Sequence, residues 1–439
     1  MGLSFCVHTE GQWRGMTSET INSIFGISES FELPEKLMNI LLSGQEQKCF
    51  EQFLILRPDL SKDWFTDYFQ ESHSNREKMM QDFTPHELSG LLPEMAGEFH
   101  IVQDICAGTG GLTIAAWTKN PDAVFICEEL SSRAVPLLLF NLAVRNMNAW
   151  VLHEDVLEQD IKAVYRIVPG ERFGRVEHAE TVPDLRPDFV ITNPPYSVKW
   201  KHDLKNDARF DGYGYPPPGF SDYAFILHGL YRLQDGGRLF AILPHGVLFR
   251  GRQEEAIRSA LVRSGLLRAV IGLPEKLFLN TNIPVCVLSI EKTKRTPGVL
   301  FIDASREFKA EGKQNRLAEQ HIKKILFCWE TRTAIEKFSH NAGLQELEAN
   351  GFNLNIPRYV DTFEREPLPD PTVLMRELKS LNLEIIDTEK ELFKMLKMLN
   401  GEDPQTVTEL GDITNSIQSL FEEGENGQLF FSLPARPPA

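Results

Sequence analysis

Ile101-Val102-Gln103-Asp104-Ile105-Cys106-Ala107-Gly108-Thr109-Gly110-Gly111 runs from a short apolar stretch through a glycine turn into the helical apolar spacing of Leu112–Thr118. Glycines let a backbone turn tightly and approach a ligand closely. The helix start that follows favours a carboxylate or another anion. Strand, glycine turn and helix together are the opening unit of a ligand-binding α/β sheet, although nucleotide and dinucleotide sites share such turns. No Lys-Ser/Thr ending makes this one a phosphate loop. The acidic Asp104 at the strand tip suits an ammonium-bearing ligand better than a pyrophosphate, and the α-amino group of a methionine moiety meets that description.

Outward from this unit, short β-rich apolar runs recur between helical stretches: Val124–Cys127, Phe189–Thr192, Leu239–Leu243, Ala269–Leu273 and Val285–Ile290. Strands alternating with helices predict an α/β fold with a doubly wound, mostly parallel sheet. The last two runs lie too close for a helical crossover, so they are expected to pair antiparallel, at one end of the sheet. Upstream, Leu33, Leu37, Ile40 and Leu41, then Phe50, Phe53 and Leu54, show helical periodicity. Residues 1–80 are read as a helical domain, with Ser74–Lys78 as a polar connector to a catalytic domain over 81–360. Residues 201–222, rich in Gly, Pro and aromatics, form a long loop directly after the segment with the most specific chemistry, which favours a functional role. Asp370-Pro371 starts a helix. Along it Leu374, Leu378, Leu381, Ile385, Thr388, Leu392, Met395 and Leu399 trace a heptad seam, either packed on its own domain or offered to another chain. Residues 361–439 are therefore a helical tail, expected to be mobile beyond Asn400.

With 439 residues, 42% of them hydrophobic, the chain can bury a large core. Its six cysteines are scattered, without Cys-x-x-Cys pairs or nearby His clusters; no disulfide framework and no metal site is expected, and a cytoplasmic setting is. The N-terminus lacks a signal pattern. The most apolar run, Ala134–Val144, is too short to span a bilayer.

The segment with the most specific chemistry is Asp188-Phe189-Val190-Ile191-Thr192-Asn193-Pro194-Pro195-Tyr196. Two prolines end a buried strand and lock an extended turn. A strand terminator alone would not require Asn193 before them and Tyr196 after. An exocyclic arylamine is a poor nucleophile because its lone pair is delocalised into the ring. If the Asn193 side-chain oxygen and the Pro194 carbonyl accept its two N–H bonds, the nitrogen is drawn toward sp³ and its lone pair faces a methyl donor. Tyr196 offers a face for stacking the base. Positioning carries such catalysis, with S-adenosylmethionine supplying the leaving group, and a target adenine must be flipped out of the duplex. The tip of the second strand, Glu128-Glu129, is where a ribose diol would be held, with Glu129 preferred and a solvated surface charge as the alternative. Asp155, closing the third strand, is a candidate acceptor for the cofactor's adenine amine.

These motifs, in the order Asp82-Phe83-Thr84-Pro85, Asp104–Gly111 and Asn193–Tyr196, resemble the gamma class of amino-methyltransferases, and more narrowly the modification (M) subunit of type I restriction–modification systems. The resemblance runs from about Gln81 to Val360. It includes Asp222-Tyr223-Ala224-Phe225, Leu243-Pro244-His245-Gly246, Phe249-Arg250-Gly251, Asn280-Thr281-Asn282-Ile283-Pro284, Phe301-Ile302-Asp303 and Asn353-Leu354-Asn355-Ile356-Pro357-Arg358-Tyr359. It implies a Rossmann-like methyltransferase fold with an antiparallel last strand, and N6-adenine methylation of double-stranded DNA. Asp82, Phe83, Thr84 and Pro85 would help enclose S-adenosylmethionine. Asp104, Cys106, Ala107, Gly108, Gly110, Gly111 and Glu129 would bind it, and Asn193, Pro194, Pro195 and Tyr196 would handle adenine. It also implies a specificity (S) subunit that reads the sequence, with two M chains per S chain, and a restriction (R) subunit that can join. That fits a net charge of −16, an awkward value for a protein gripping phosphates alone. Two departures stand out: a short N-terminal helical region, and Ile105-Cys106 where Pro and a small residue are common.

Three other readings compete with this one. A methyltransferase acting on a protein glutamine or other amine would also use Asn-Pro-Pro-Tyr, but not the segments after residue 196. An inactive cofactor-binding assembly subunit would not need Asn193. A dinucleotide oxidoreductase would give Asn-Pro-Pro-Tyr no job.

Overall fold

The structure is a computed structural model and describes residues 18–56, 58–66, 68, 84–200, 206–278, 283–293, 298–312, 314–362, 370–399 and 403–425. Asp82, Phe83, the connector 74–78 and the motif residues 280–282 lie outside the described residues. The chain divides into two compact units, residues 1–363 and 364–439.

In the first unit, helices α1 (Ser18–Phe25), α2 (Leu33–Leu42) and α3 (Glu46–Leu56) precede α4 (His86–Ala96). Leu33, Leu37 and Leu41, four residues apart, form the buried stripe of α2. The sheet then begins with β1 (Ile101–Ile105), α5 (Gly111–Lys119), β2 (Val124–Glu129), α6 (Ala134–Val144) and β3 (Asn148–Asp155). Two strands, β4 (Asp160–Val168) and β5 (Arg175–Ala179), follow before β6 (Phe189–Thr192), α7 (Asp222–Arg232), β7 (Arg238–Pro244) and α8 (Gln253–Arg263). The sheet is completed by β8 (Leu267–Gly272), β9 (Val285–Glu291), β10 (Gly298–Asp303) and, after the small hairpin β11 (Lys309–Glu311)–β12 (Gln314–Arg316) and helix α9 (Glu319–Thr331), by β13 (Ser339–Gly343), with α10 (Leu344–Ala349) after it.

Eleven strands make one sheet in the order β13-β10-β8-β9-β7-β6-β1-β2-β3-β4-β5. Its centre, from β3 to β7, is parallel. The chain winds outward from β1 to β3, then returns to the other side of β1 for β6 and β7. This topological switch between β1 and β6 opens a crevice at the strands' C-terminal ends, the place where doubly wound sheets bind ligands. The architecture is therefore the expected α/β sheet, mostly parallel at its core.

The antiparallel pairing of β8 with β9 is present, but not at the sheet's end. Strand β9 inserts between β7 and β8, bonded antiparallel to both and buried along its whole length. That leaves an edge on β8, which β10 fills in parallel and β13 closes. Both outermost strands are short and polar, Ser-His-Asn-Ala-Gly at one edge and Arg-Val-Glu-His-Ala at the other, which discourages further pairing.

Every residue of α6 is buried. A helix apolar on all sides needs cover on all sides, and here α1–α3 supply the outer layer. Phe140 is the hub: its ring meets Phe25, Phe50, Phe53 and Phe65 at centroid distances of 5.7, 5.0, 5.2 and 5.4 Å. The N-terminal helices thus share one hydrophobic cluster with α4, α6 and the central strands. Among the described residues, no helix is long and apolar enough to cross a membrane.

In the second unit, α11 (Pro371–Lys397) starts where the sequence indicates, and Asp370 caps it by accepting from the Thr372 N–H at 2.8 Å. No residue of α11 is buried. Beyond Asn400, the described part of the tail carries α12 (Pro404–Glu425), a helix not singled out in the sequence. The missed signal is a second Asp-Pro start: Asp403 accepts from the Gln405 and Thr406 N–H groups at 3.0 Å, as Asp370 does for α11.

Candidate active site

Strands β1 and β6 run side by side with Ile105 opposite Thr192, and the Thr192 hydroxyl donates to the Ile105 carbonyl at 2.7 Å. The next residues on the two strands are Cys106, which begins the glycine turn, and Asn193, which begins the Asn-Pro-Pro-Tyr segment. The two motifs leave adjacent strand tips in register.

Within the turn, Cys106, Gly108 and Gly110 take left-handed φ values of 63°, 59° and 100°. At Gly110 a Cβ would also fall 2.8 Å from Leu138 of α6, so glycine is required there twice over. The Ala107 N–H donates to the Glu128 carbonyl at 2.9 Å, joining the turn to β2. The Glu129 carboxylate accepts from the Gly108 N–H at 2.8 Å and the Ser131 N–H at 2.7 Å. Glu128 points to the other face of the sheet, where Gln103 donates to it at 2.5 Å and His228 of α7 lies 3.2 Å away. Of the two candidates at this strand tip, Glu129 is the one at the glycine turn.

Asp104 lies beneath the turn, 1% exposed. The Thr113 hydroxyl of α5 donates to its Oδ2 at 2.6 Å, and Oδ1 has no hydrogen-bond partner. Burial, reinforced by the nearby Glu129 and Glu128 carboxylates, pushes its pKa up to about 7. Asp155 stands at the end of β3, where its Oδ1 accepts from the Leu157 and Glu158 N–H groups at 3.0 and 3.2 Å and closes its own turn.

Pro194 is buried, while Asn193, Pro195 and Tyr196 are half-buried. The Asn193 Nδ2 donates to the Thr84 hydroxyl at 3.0 Å, and the Tyr196 hydroxyl donates to Asn193 Oδ1 at 2.8 Å. Thr84 and Pro85, leading into α4, therefore stand against the Asn-Pro-Pro-Tyr segment, and both also line a cleft of about 370 Å³ with Asp63, Gly111 and Arg316.

Several residues brace the site through contacts that no local pattern in the sequence indicates. Ser197, at φ 54°, donates its N–H to Asp222 of α7 at 3.0 Å, and Arg250 grips the other oxygen of Asp222 at 2.8 Å. The Gly/Pro/aromatic loop folds back on this turn: the Trp200 N–H and indole donate to the Pro218 and Pro217 carbonyls at 3.0 and 3.1 Å, and Arg250 lies over the Phe220 ring at 4.2 Å. Asp222 and Arg250 sit inside motifs quoted above, but their joint hold on Ser197 is a tertiary fact. On the other side, Asp63 accepts from the Thr109 hydroxyl and from Asn141 Nδ2, so the N-terminal segment braces the glycine turn through α6. Asn141 also donates to the Thr109 carbonyl at 2.8 Å, which accounts for the one polar interruption in that apolar helix.

A family model described as N-6 DNA methylase matches residues 61–367. The type I restriction enzyme MpnII methylase subunit of Mycoplasma pneumoniae is 28% identical over 334 residues, 72% of this chain and 58% of that protein. The type I restriction enzyme HindI methylase subunit of Haemophilus influenzae is 29% identical over 323 residues, 69% of this chain and 68% of that protein. Among solved structures, the type I restriction–modification system methyltransferase subunit from Streptococcus thermophilus superposes with a TM-score of 0.57 at 35% identity, covering 64% of this chain and 59% of that one. The chain spans about three fifths of the length of the Mycoplasma and Streptococcus proteins.

Proposed function

Because the chain belongs to the N-6 DNA methylase family, we propose that it transfers a methyl group from S-adenosylmethionine to N6 of a flipped-out adenine in DNA, as the methylating subunit of a type I-like complex. The observation that carries this reading is the register of β1 and β6, which sets Asn193 beside the glycine turn.

The turn fits the cofactor on its own geometry. A side chain at Gly110 would close the cradle against Leu138, Glu129 stands at the tip of the second strand, and Asp104 keeps a buried oxygen without a partner. Asp104, Cys106, Ala107, Gly108, Gly110, Gly111 and Glu129 would hold S-adenosylmethionine, with Asp155 toward its adenine and the 82–85 segment over it. The bound cofactor supplies an electrophilic methyl group on a sulfonium leaving group. Everything else falls to this chain. Asn193 Oδ1 and the Pro194 carbonyl accept the two N–H bonds of the adenine amine, localising its lone pair. The double proline prevents the acceptors from drifting apart, and Tyr196 stacks the base. This is catalysis by orientation. Base extrusion is needed because an amine inside a duplex cannot reach such a pocket.

Two whole-chain features support a partnership. A net charge of −16 disfavours unaided grip on phosphates. Helix α11 exposes its apolar seam, with Leu378, Leu381, Ile385 and Met395 46%, 57%, 53% and 61% accessible. We assign 361–439 as the segment that docks a specificity subunit in the cytoplasm, two methylating chains to one, with a restriction subunit able to join. The test is an assay of the full chain with labelled S-adenosylmethionine and DNA, with and without a candidate specificity subunit. N6-methyladenine should form with the pair. Asn193→Ala should abolish transfer while cofactor affinity stays nearly intact. Labelling of protein with none of DNA would sink the reading.

A further inference from the structure

We infer that Arg209 is a positioning residue for Asp155, setting the carboxylate that would take the cofactor's adenine amine. The inference rests on the reading that turns Asp155 toward that adenine, and it gives the Gly/Pro/aromatic loop a task at the cofactor end of the crevice. Asp155 ends β3, and its Oδ1 accepts from the Leu157 and Glu158 N–H groups at 3.0 and 3.2 Å. Each of those N–H groups belongs to a planar peptide unit, so the direction of the unit's carbonyl fixes the direction of its N–H. The first unit carries the Val156 carbonyl and the second the Leu157 carbonyl. Arg209 holds both: Nη1 donates to Val156 at 2.6 Å and Nη2 to Leu157 at 3.0 Å. The two peptide planes thus meet Arg209 on one side and present their N–H groups to Asp155 on the other.

The guanidinium is itself fixed. Its side chain is 4% exposed and paired with that of Asp207, 3% exposed, with Nε and Nη2 donating to Asp207 Oδ2 at 2.9 and 2.6 Å. Nη1 also lies 3.3 Å from Nδ1 of His228 on α7. Arginine suits this post because its planar fork presents several donors in one fixed geometry, which a lysine ammonium does not. The adjacent Phe210 ring packs edge-on against Trp200, shortly after Tyr196, with 5.8 Å between centroids. One loop therefore reaches both the Asp155 turn and the end of the Asn-Pro-Pro-Tyr segment.

The test compares two ligands on the full chain by calorimetry: S-adenosylhomocysteine, and S-inosylhomocysteine, whose base carries a carbonyl where adenine has its amine. Wild type should prefer the adenosyl ligand about 10-fold or more, the scale of a hydrogen bond to a charged acceptor. Arg209→Lys keeps a charge beside Asp207 but not the fork. It should weaken the adenosyl ligand and leave the inosyl ligand unchanged, bringing the preference within about 3-fold. Asp155→Ala should do the same, and adding Arg209→Lys to it should cost nothing further, as for residues that act through one another. Retained preference in Arg209→Lys overturns the inference. So does equal weakening of both ligands, which marks a packing role, and so do additive losses in the double variant. Should Arg209→Lys fail to fold, Arg209→Gln with Asp207→Asn removes the charged pair together and is read the same way. A wild type without preference overturns the placement of Asp155 and this inference with it, whereas one that binds neither ligand removes the methyl-transfer reading itself.

Discussion

Asp104 shows how a single residue makes this crevice costly to build. Its carboxyl is sealed beneath the glycine turn, one oxygen on Thr113 and the other without a partner. A pKa raised from 3.8 to about 7 means the folded protein binds the proton more tightly than the unfolded chain. The stability this contributes is complete below about pH 4 and is lost as pH rises through 7. The full span corresponds to roughly 4 kcal/mol. Asp104→Asn keeps an oxygen for Thr113 and cannot ionise. Its stability relative to wild type should therefore climb between pH 4 and 7.5 and level off above, read from urea unfolding across that range. A difference that does not change with pH would show that Asp104 stays charged in the fold. Glu154, beside Glu128 on the opposite face of the sheet, is pushed up to about 9 by burial and that neighbouring carboxylate. Buried carboxyls therefore flank the crevice on both faces of the sheet.

Helix α6 does the corresponding work among the elements. One face packs on the sheet, and Leu138 sets the room available at Gly110. The opposite side receives four aromatic rings from the N-terminal segment around Phe140. Asn141 and Arg145 then reach the chain at 60–63: Arg145 donates to the Leu60 carbonyl at 2.7 Å and stacks over Trp64 at 4.6 Å. The N-terminal helices are thus wired to the glycine turn through one helix. Phe140→Ala should cost about 3–5 kcal/mol, as for other large aromatic truncations in cores, and should expose the N-terminal segment to limited proteolysis before the sheet opens. A loss below about 1 kcal/mol, the scale of an ordinary surface substitution, would mean the segment is held elsewhere.

Across the whole molecule, the acidic charge and the bare apolar seam are both accounted for by the proposed specificity subunit, which would supply contacts this chain does not. The seam is exposed throughout, so charging it need not disturb the fold. Leu378→Glu with Ile385→Glu should abolish co-purification with a specificity subunit while leaving the melting temperature and cofactor affinity unchanged. Assembly that survives both substitutions would move the interface away from α11. Isolated, the chain should hold DNA weakly at high salt, since few phosphates would be neutralised.

Local patterns were legible in the sequence because their physics is local. Phe189–Thr192 and Ile101–Ile105 are strands to the residue, the glycine turn opens α5, and Asp370-Pro371 starts α11. In each case a propensity, a proline or a required φ acts within a few residues. The same local logic reached the right sheet and placed its two motifs on strands that proved to be neighbours. Tertiary structure alone decided that β9 enters the sheet beside β7, that β10 and β13 extend it, and that Asp63, Thr84, Thr113, Asp222 and Arg250 hold the crevice. Most of those partners lie 25 to 109 residues apart. An Asp or a Thr reads alike in a loop, a cap or a brace, and only the packed chain brings it within 3 Å of the group it serves.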